Sequence, residues 1–427
     1  MSVGSEVVLD AVVRSYLESA DFNGVPVADL MVELGVERED LQPVLQGLVA
    51  AGRVGILFPD DDDNPHVLRF GFTSREAQLG KLAETSDPVH TCVYPTTPEL
   101  EGSLGDASYA ERPYTHALAL GRPQLEFCAF DPSVLETYRN DPRYSYQTND
   151  IGGSISVHDE NIESGEMLER DRVLLQTFGF AYDEQYHRAV AAFLRYLSDL
   201  SPEHQQTWRA KELSGGYRLH PDYFRNTVLG EWGERESVFV ALLVELHVVN
   251  RMSIAMGRPP LFRREYGEHG EGRPQKFCFL IRPTADEFNA FVLLLDKLLS
   301  DNIDKAFFKG EVSDESEEQR ADGKTAVRAR GTLSMLDEWL RKNVRLNDWT
   351  PWDEASTALR RVRKLRQKPA HAVDDNAFDQ QYFVQQRELM LSAYEAVRII
   401  RQLLANHPAA KTVDVPDWLY EGLIWDI

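Results

Sequence analysis

Cysteine is scarce in this 427-residue chain: only Cys92, Cys128 and Cys278 occur. They are widely separated and odd in number, which excludes a disulfide framework or a C-x-x-C redox pair and fits a reducing cytoplasm. Positive charge is the scarcer sign, with 46 Lys and Arg against 69 Asp and Glu and a formal net charge of −23. Such a balance works against a general nucleic-acid coat or an anionic membrane surface, because phosphate binding needs local positive charge. The N-terminal residues lack a basic segment followed by an apolar one, so no secretory signal is expected. The longest apolar run, 238–249, is interrupted by Glu245 and His247. It is too short to span a bilayer and predicts a buried core helix, with no membrane association. A cytoplasmic protein is expected.

Several chemistries are absent. No His/Cys spacing suits zinc and no Gly-x-Ser-x-Gly elbow occurs. The segment Asp322-Gly-Lys-Thr325 resembles the end of a phosphate-binding loop, but Glu318 stands where the first glycine belongs. Four consecutive aspartates, Asp60 to Asp63, would point their carboxylates in diverging directions, which suits a solvated hairpin tip better than a metal site. No metal and no cofactor are expected.

What is present divides the chain. Residues 1–72 show three helical periods and then two strand-like runs, 53–58 and 66–72, joined by a Pro-Asp-rich turn. This order of elements resembles a winged helix-turn-helix. Its third helix opens with Glu37-Arg-Glu-Asp40 and its wing tip is acidic, so a protein partner is expected there and duplex DNA is not. Residues 73–105 form a loop-rich connector. Residues 106–310 mix strand and helix patterns and predict a central α+β domain of unknown role. It includes strands at 125–130 and 276–281, a hairpin at 144–157, helices at 182–199 and 235–256, and a capping box at Thr284 that leads into a helix over 288–299. Residues 311–325 are acidic and polar and predict a linker. Helical periodicity then dominates 326–427, with helices over 332–344, 351–365 and 378–405. The expected fold class is multidomain and mainly α, with an N-terminal winged helix, a central α+β domain and a C-terminal helical bundle.

The bundle carries the local exception to the acidic average. Arg360, Arg361, Arg363, Lys364, Arg366 and Lys368 place six cations within nine residues, and between Arg328 and Arg401 there are 14 Lys and Arg against 10 Asp and Glu. This cluster could hold a phosphate backbone. It ends in Arg366-x-x-x-x-His371, a fixed cation near a group that titrates near neutrality. That pairing suits RNA cleavage, with the histidine moving a proton and the arginine stabilising the charge on the phosphorane. The alternative is a solvated helix face that ends in an ordinary histidine. On a straight helix, positions five apart diverge by about 140°, so convergence needs a bend at Pro369 or a second subunit.

Residues 325–407 resemble the HEPN family (higher eukaryote and prokaryote nucleotide-binding), compact helical bundles with an R-x4–6-H motif. Ala370-His371 ahead of the loop Asp374-Asp-Asn-Ala and a further long helix carry the likeness. The residue after the arginine is Gln367, where the family often has Asn, Asp or His, and Pro369 lies inside the motif. The resemblance implies a metal-independent endoribonuclease of bacterial defence or toxin–antitoxin systems, working as a homodimer on an RNA substrate. It makes Arg366, His371 and Gln367 the catalytic candidates and Arg360, Arg361, Arg363, Lys364 and Lys368 the RNA-binding ones. The other implied reading is a non-catalytic regulator or adaptor that uses the bundle for dimerisation or nucleotide binding. Arg264 and His269 match the same spacing but lie in a glycine-bearing segment without helical context.

Overall fold

The computed structural model describes residues 3–84, 86–104, 109–165, 167–185, 187–233, 235–319, 325–367 and 375–425. The chain mixes helices and sheets and divides into two compact units. The first comprises Met1–Gln147 and Gly152–Tyr223; the second comprises Thr148–Ile151 and Phe224–Ile427.

The first unit begins with helices α1 (Ser5–Glu18), α2 (Val27–Leu34) and α3 (Arg38–Ala51), with the short strand β1 (Val25–Pro26) ahead of α2. Gly35 and Gly52 end α2 and α3 in the left-handed conformation that glycine adopts without steric cost. Val8, Val12, Leu30, Leu41, Leu45 and Val49 supply the core between the helices. The expected wing is built differently. Strand β2 (Val54–Leu57) pairs antiparallel with β3 (Cys92–Pro95), from Val54 opposite Pro95 to Leu57 opposite Cys92, and 66–72 is not a strand. The reason lies in helix α4 (Arg75–Glu84), whose buried Gln78 accepts the Ile56 N–H through Oε1 at 2.9 Å and donates from Nε2 to the Thr73 carbonyl at 2.7 Å. A side chain thus takes the bond that a hairpin partner would make. The expected connector 73–105 therefore holds α4, β3 and α5 (Thr97–Ser103), and β3 is the central strand of the order β1-β3-β2.

Helix α6 (Pro113–Ala119) precedes a seven-stranded sheet in the order β5-β6-β7-β8-β4-β9, with β10 added on β7. Its strands are β4 (Phe127–Phe130), β5 (Tyr144–Thr148), β6 (Gly152–Val157), β7 (Leu174–Tyr182), β8 (Arg188–Phe193), β9 (Glu212–Leu213) and β10 (Arg218–Leu219). Short helices α7 (Glu136–Asn140), α8 (Asp159–Glu163), α9 (Leu194–Ser198) and α10 (Pro202–Arg209) interrupt it, and the Ser201 hydroxyl caps the last by accepting the His204 N–H. The helix expected over 182–199 is instead the end of β7, then β8, then α9. Ala189 to Phe193 are all buried, and a short continuous apolar run reads equally as a doubly covered strand or a core helix.

The central domain expected over 106–310 is split, because the second unit begins at Phe224. After α11 (Pro221–Phe224) and β11 (Glu236–Ser237), helix α12 (Val238–Ala255) is apolar on all sides and must be wrapped by other helices. It packs on α16 (Gln381–Leu404), while α13 (Ala285–Leu298) packs on α15 (Thr350–Gln367), with α14 (Thr332–Asn343) alongside. One continuous apolar core runs through all five. Among the described residues α12 is the only helix long and apolar enough to cross a membrane, and most of it is buried inside this unit. The strand expected at 276–281 is absent: the buried Gln386 side chain accepts the Leu280 N–H and donates to the Cys278 carbonyl, both at 3.0 Å. The expected linker contains β12 (Glu315–Gln319) paired antiparallel with β13 (Thr325–Ala329). The unit closes with α17 (Asp417–Glu421) and β14 (Ile424–Trp425), which runs parallel to β11.

His220 gives the first unit a pH-dependent weakness. Burial, and secondarily the Arg188 charge, lowers its pKa to about 4 from the usual 6.5. The fold therefore holds the neutral imidazole, and its contribution is complete above pH 6.5 and lost as the pH falls towards 4. Over that window we expect a loss of about 3 kcal/mol from this residue, because each tenfold change in proton affinity is worth about 1.4 kcal/mol. Denaturant titrations of wild type and His220→Gln at pH 7.5 and pH 4.5 check this: the variant should lose less stability on acidification.

Candidate functional site

The site follows from the helical period of α15. Trp352, Ala355, Ser356, Leu359 and Val362 form its buried stripe. Arg366 stands four residues beyond Val362 and continues the same row, so its side chain is carried onto α13 and away from the solvent face. There its Nη1 donates to Asp296 Oδ2 at 2.6 Å and to Asp301 Oδ2 at 2.5 Å. Asp296 is fully buried, whereas the side chains of Arg366 and Asp301 are 34% and 37% exposed. The Ser300 hydroxyl donates to the other oxygen of Asp296. Asp296, Ser300 and Asp301 surround the C-terminal end of α13, where the helix dipole also favours a cation. The hydrogen bond to Asp296 is the largest cause that raises the Arg366 pKa, so the guanidinium stays charged.

The remaining candidates fan out across the outer side of α15. Arg360, Arg361, Lys364 and Gln367 are exposed and Arg363 is half-buried. Arg360 Nε donates to the Ser356 hydroxyl at 3.2 Å, and Arg361 lies 4.0 Å from Glu388. Arg363, three residues before Arg366, is its neighbour on the helix surface. Lys368 and His371 lie outside the described residues, as does Pro369. The structure thus separates Arg366 from the exposed cations by orientation and joins it to two carboxylates. Arg264 and His269 are both exposed in an irregular segment. In the acidic run, Asp61 pairs with Lys81 and Asp62 with Arg69, so part of that tip is neutralised by its own cations.

Sequence reasoning missed Asp296, Ser300 and Asp301. A signal was available: Asp296 interrupts the apolar run 291–299, and a lone carboxylate on a core-facing helix needs a cation. Glu245, likewise a lone carboxylate in α12, is fully buried and meets Arg401 Nε of α16 at 2.6 Å. Burial raises its pKa, against the opposing pull of Arg401. A second feature not read from the sequence is an open groove of about 460 Å³ between α15 and α16. Ala358, Leu391, Ala396 and Ile399 line it, with Glu354 and Glu395 beside them.

Among the described residues, no three His, Cys, Asp or Glu side chains converge at metal-ligand spacing. In comparisons with known proteins, no family model, no curated protein and no solved structure matches the chain.

The geometry gives Arg366 a part in folding as well as in the candidate site. Arg366→Ala would leave the buried Asp296 charge without a counterion, and we expect a loss of about 3–5 kcal/mol. Arg366→Lys keeps a cation in place and should cost less than half as much. Urea unfolding of the three proteins at pH 7.5 measures the difference.

Proposed function

We propose that this chain is a metal-independent endoribonuclease of HEPN type, acting in the cytoplasm as a homodimer in a bacterial defence or toxin–antitoxin setting. One observation carries the reading. Arg366 is fixed at the end of a long helix with its side chain one-third exposed, next to Arg363 on the helix surface and on a different face from Arg360 and Lys364. A pre-positioned guanidinium beside a cationic helix face is what stabilisation of a phosphorane requires.

In the proposed reaction the RNA supplies its own nucleophile. The 2′-hydroxyl oxygen bonds to phosphorus and the bond from phosphorus to the 5′-oxygen breaks, leaving a 2′,3′-cyclic phosphate and a 5′-hydroxyl. His371 moves the proton from the nucleophile or to the leaving oxygen, Arg366 balances the charge on phosphorus, and Gln367 offers a polar contact at the same helix end. Arg360, Arg361, Arg363, Lys364 and Lys368 hold the RNA backbone. The N-terminal module is proposed as winged-helix-like and as a dock for protein. Glu39, Asp40, Pro43, Gly47, Ala50 and Ala51 make up the exposed positions of α3, and none is a cation suited to a DNA groove.

Incubation of the full chain with total RNA in EDTA tests the activity. Cleavage should persist and leave cyclic phosphate ends. His371→Ala should slow it by about 10²–10⁴-fold, and Arg366→Lys should also be slow because an ammonium cannot reproduce the planar fork. An inactive wild type, or a fully active His371→Ala, removes the ribonuclease reading.

The groove between α15 and α16 supports the homodimer. Its apolar floor is bordered by Glu354 and Glu395, and the adjoining groove carries Arg361 together with Asp353 and Glu354. A two-fold axis would cover this apolar floor with the same floor of a second copy. Sedimentation at micromolar concentration should give twice the chain mass, and Leu391→Asp should shift it to monomer. A monomeric wild type overturns the dimer.

The adaptor reading has its own support: the buried Asp296 gives Arg366 a purely architectural use. It takes over if RNA is bound or ignored but never cut.

A further inference from the structure

The way Arg366 is held is unusual for a tie between helices. Both carboxylates take the same nitrogen, Nη1. Among the described residues Nε and Nη2 have no partner, although an arginine that serves only to bind a carboxylate commonly uses two nitrogens in parallel. The supporting groups are layered: Ser300 fixes one oxygen of Asp296, Asp296 fixes Nη1 from inside the fold, and Asp301 fixes it from the rim. As a device for stability this is inefficient, because a buried ion pair is often matched or bettered by apolar side chains of similar volume. As a device for orientation it is effective, since it stops rotation of a long side chain and leaves one flat side of the fork uncovered.

We infer that Asp296 and Asp301 are positioning residues that hold Arg366 by Nη1, so that its Nε and Nη2 face a phosphodiester of the bound RNA. The assignment rests on the ribonuclease reading for its catalytic consequence, but not for its binding one. It has a distinctive signature. Two carboxylates on one guanidinium weaken the local attraction for phosphate while fixing the geometry. Removing the rim carboxylate should therefore leave RNA affinity unchanged or tighter and make turnover slower. A merely structural role would not move the two in opposite directions.

The experiment uses the full chain with Asp301→Ala, Asp301→Asn and Asp301→Glu, since Asp301 is at the rim and its loss leaves no buried charge unpaired. Single-turnover cleavage of a defined RNA in EDTA is measured together with KM and the melting temperature. The Nε resonance of Arg366 is followed as an uncleavable 2′-O-methyl oligonucleotide is added. We expect Asp301→Ala and Asp301→Asn to cut kcat by about tenfold or more, with KM equal or lower, and Asp301→Glu to recover most of the rate. The Nε signal of the wild type should shift on addition of the oligonucleotide, and in Asp301→Ala it should broaden. Wild-type kcat in Asp301→Ala, or kcat and affinity that fall together, overturns the inference. If the wild type cuts no RNA, the ribonuclease reading fails alone when the Nε signal still shifts. When the signal does not shift, the positioning inference fails as well.

Discussion

A carboxylate in the middle of an apolar helix surface constrains everything packed around it. Asp296 has no access to water, so α13 can dock only where a cation reaches it, and Arg366 is that cation. Apolar contacts between helices tolerate sliding by a turn; a buried ion pair does not. The pair therefore sets the register of α13 against α15. Glu245 and Arg401 do the same for α12 against α16. Two charged ties, one in each helix pair, turn a generic apolar bundle into a single arrangement, and they place the end of α15 in one orientation. The candidate site inherits its geometry from that requirement of the core.

The parts of the fold that can be read from the sequence are those whose signal is local. The long helices from α12 to α16 follow from their periods, and Thr284 caps the helix it precedes. The errors share a different cause. At 66–72 and 276–281 the residue pattern suits a strand, but a glutamine side chain takes the Ile56 amide that 66–72 would have paired with, and Gln386 takes the backbone bonds at 278–280, so no ladder forms. In β8 a run of small apolar residues carries no period that distinguishes strand from helix. The domain boundary is misread because α12 and α13 look like parts of whichever domain surrounds them. Only their packing on α15 and α16 assigns them to the second unit.

For the candidate site, composition leads to α15 but does not show that Arg366 lies on a different face from the other cations. Six cations in nine residues suggest one patch, yet the spacing from Val362 to Arg366 already puts that arginine on the buried row. Charge taken together with helical phase separates it from Arg360 and Lys364. Its partners are harder to find, since Asp296 lies 70 positions away and nothing local links the two. His371 is the other half of the proposed chemistry and lies outside the described residues.

The buried glutamines have a consequence for the life of the chain in a crowded solution. Strand β2 is the outermost member of its sheet, and an outermost strand normally offers a row of unsatisfied amides as a template for another molecule. Gln78 occupies the Ile56 amide from within the same chain, while the Phe72 ring lies close over Gly55. The position most open to intermolecular pairing is thus shut by side chains and not by a further strand. Substituting Gln78 with an aliphatic residue would do more than loosen a helix. It would uncover a template and make self-association through the sheet a new fate for a folded molecule.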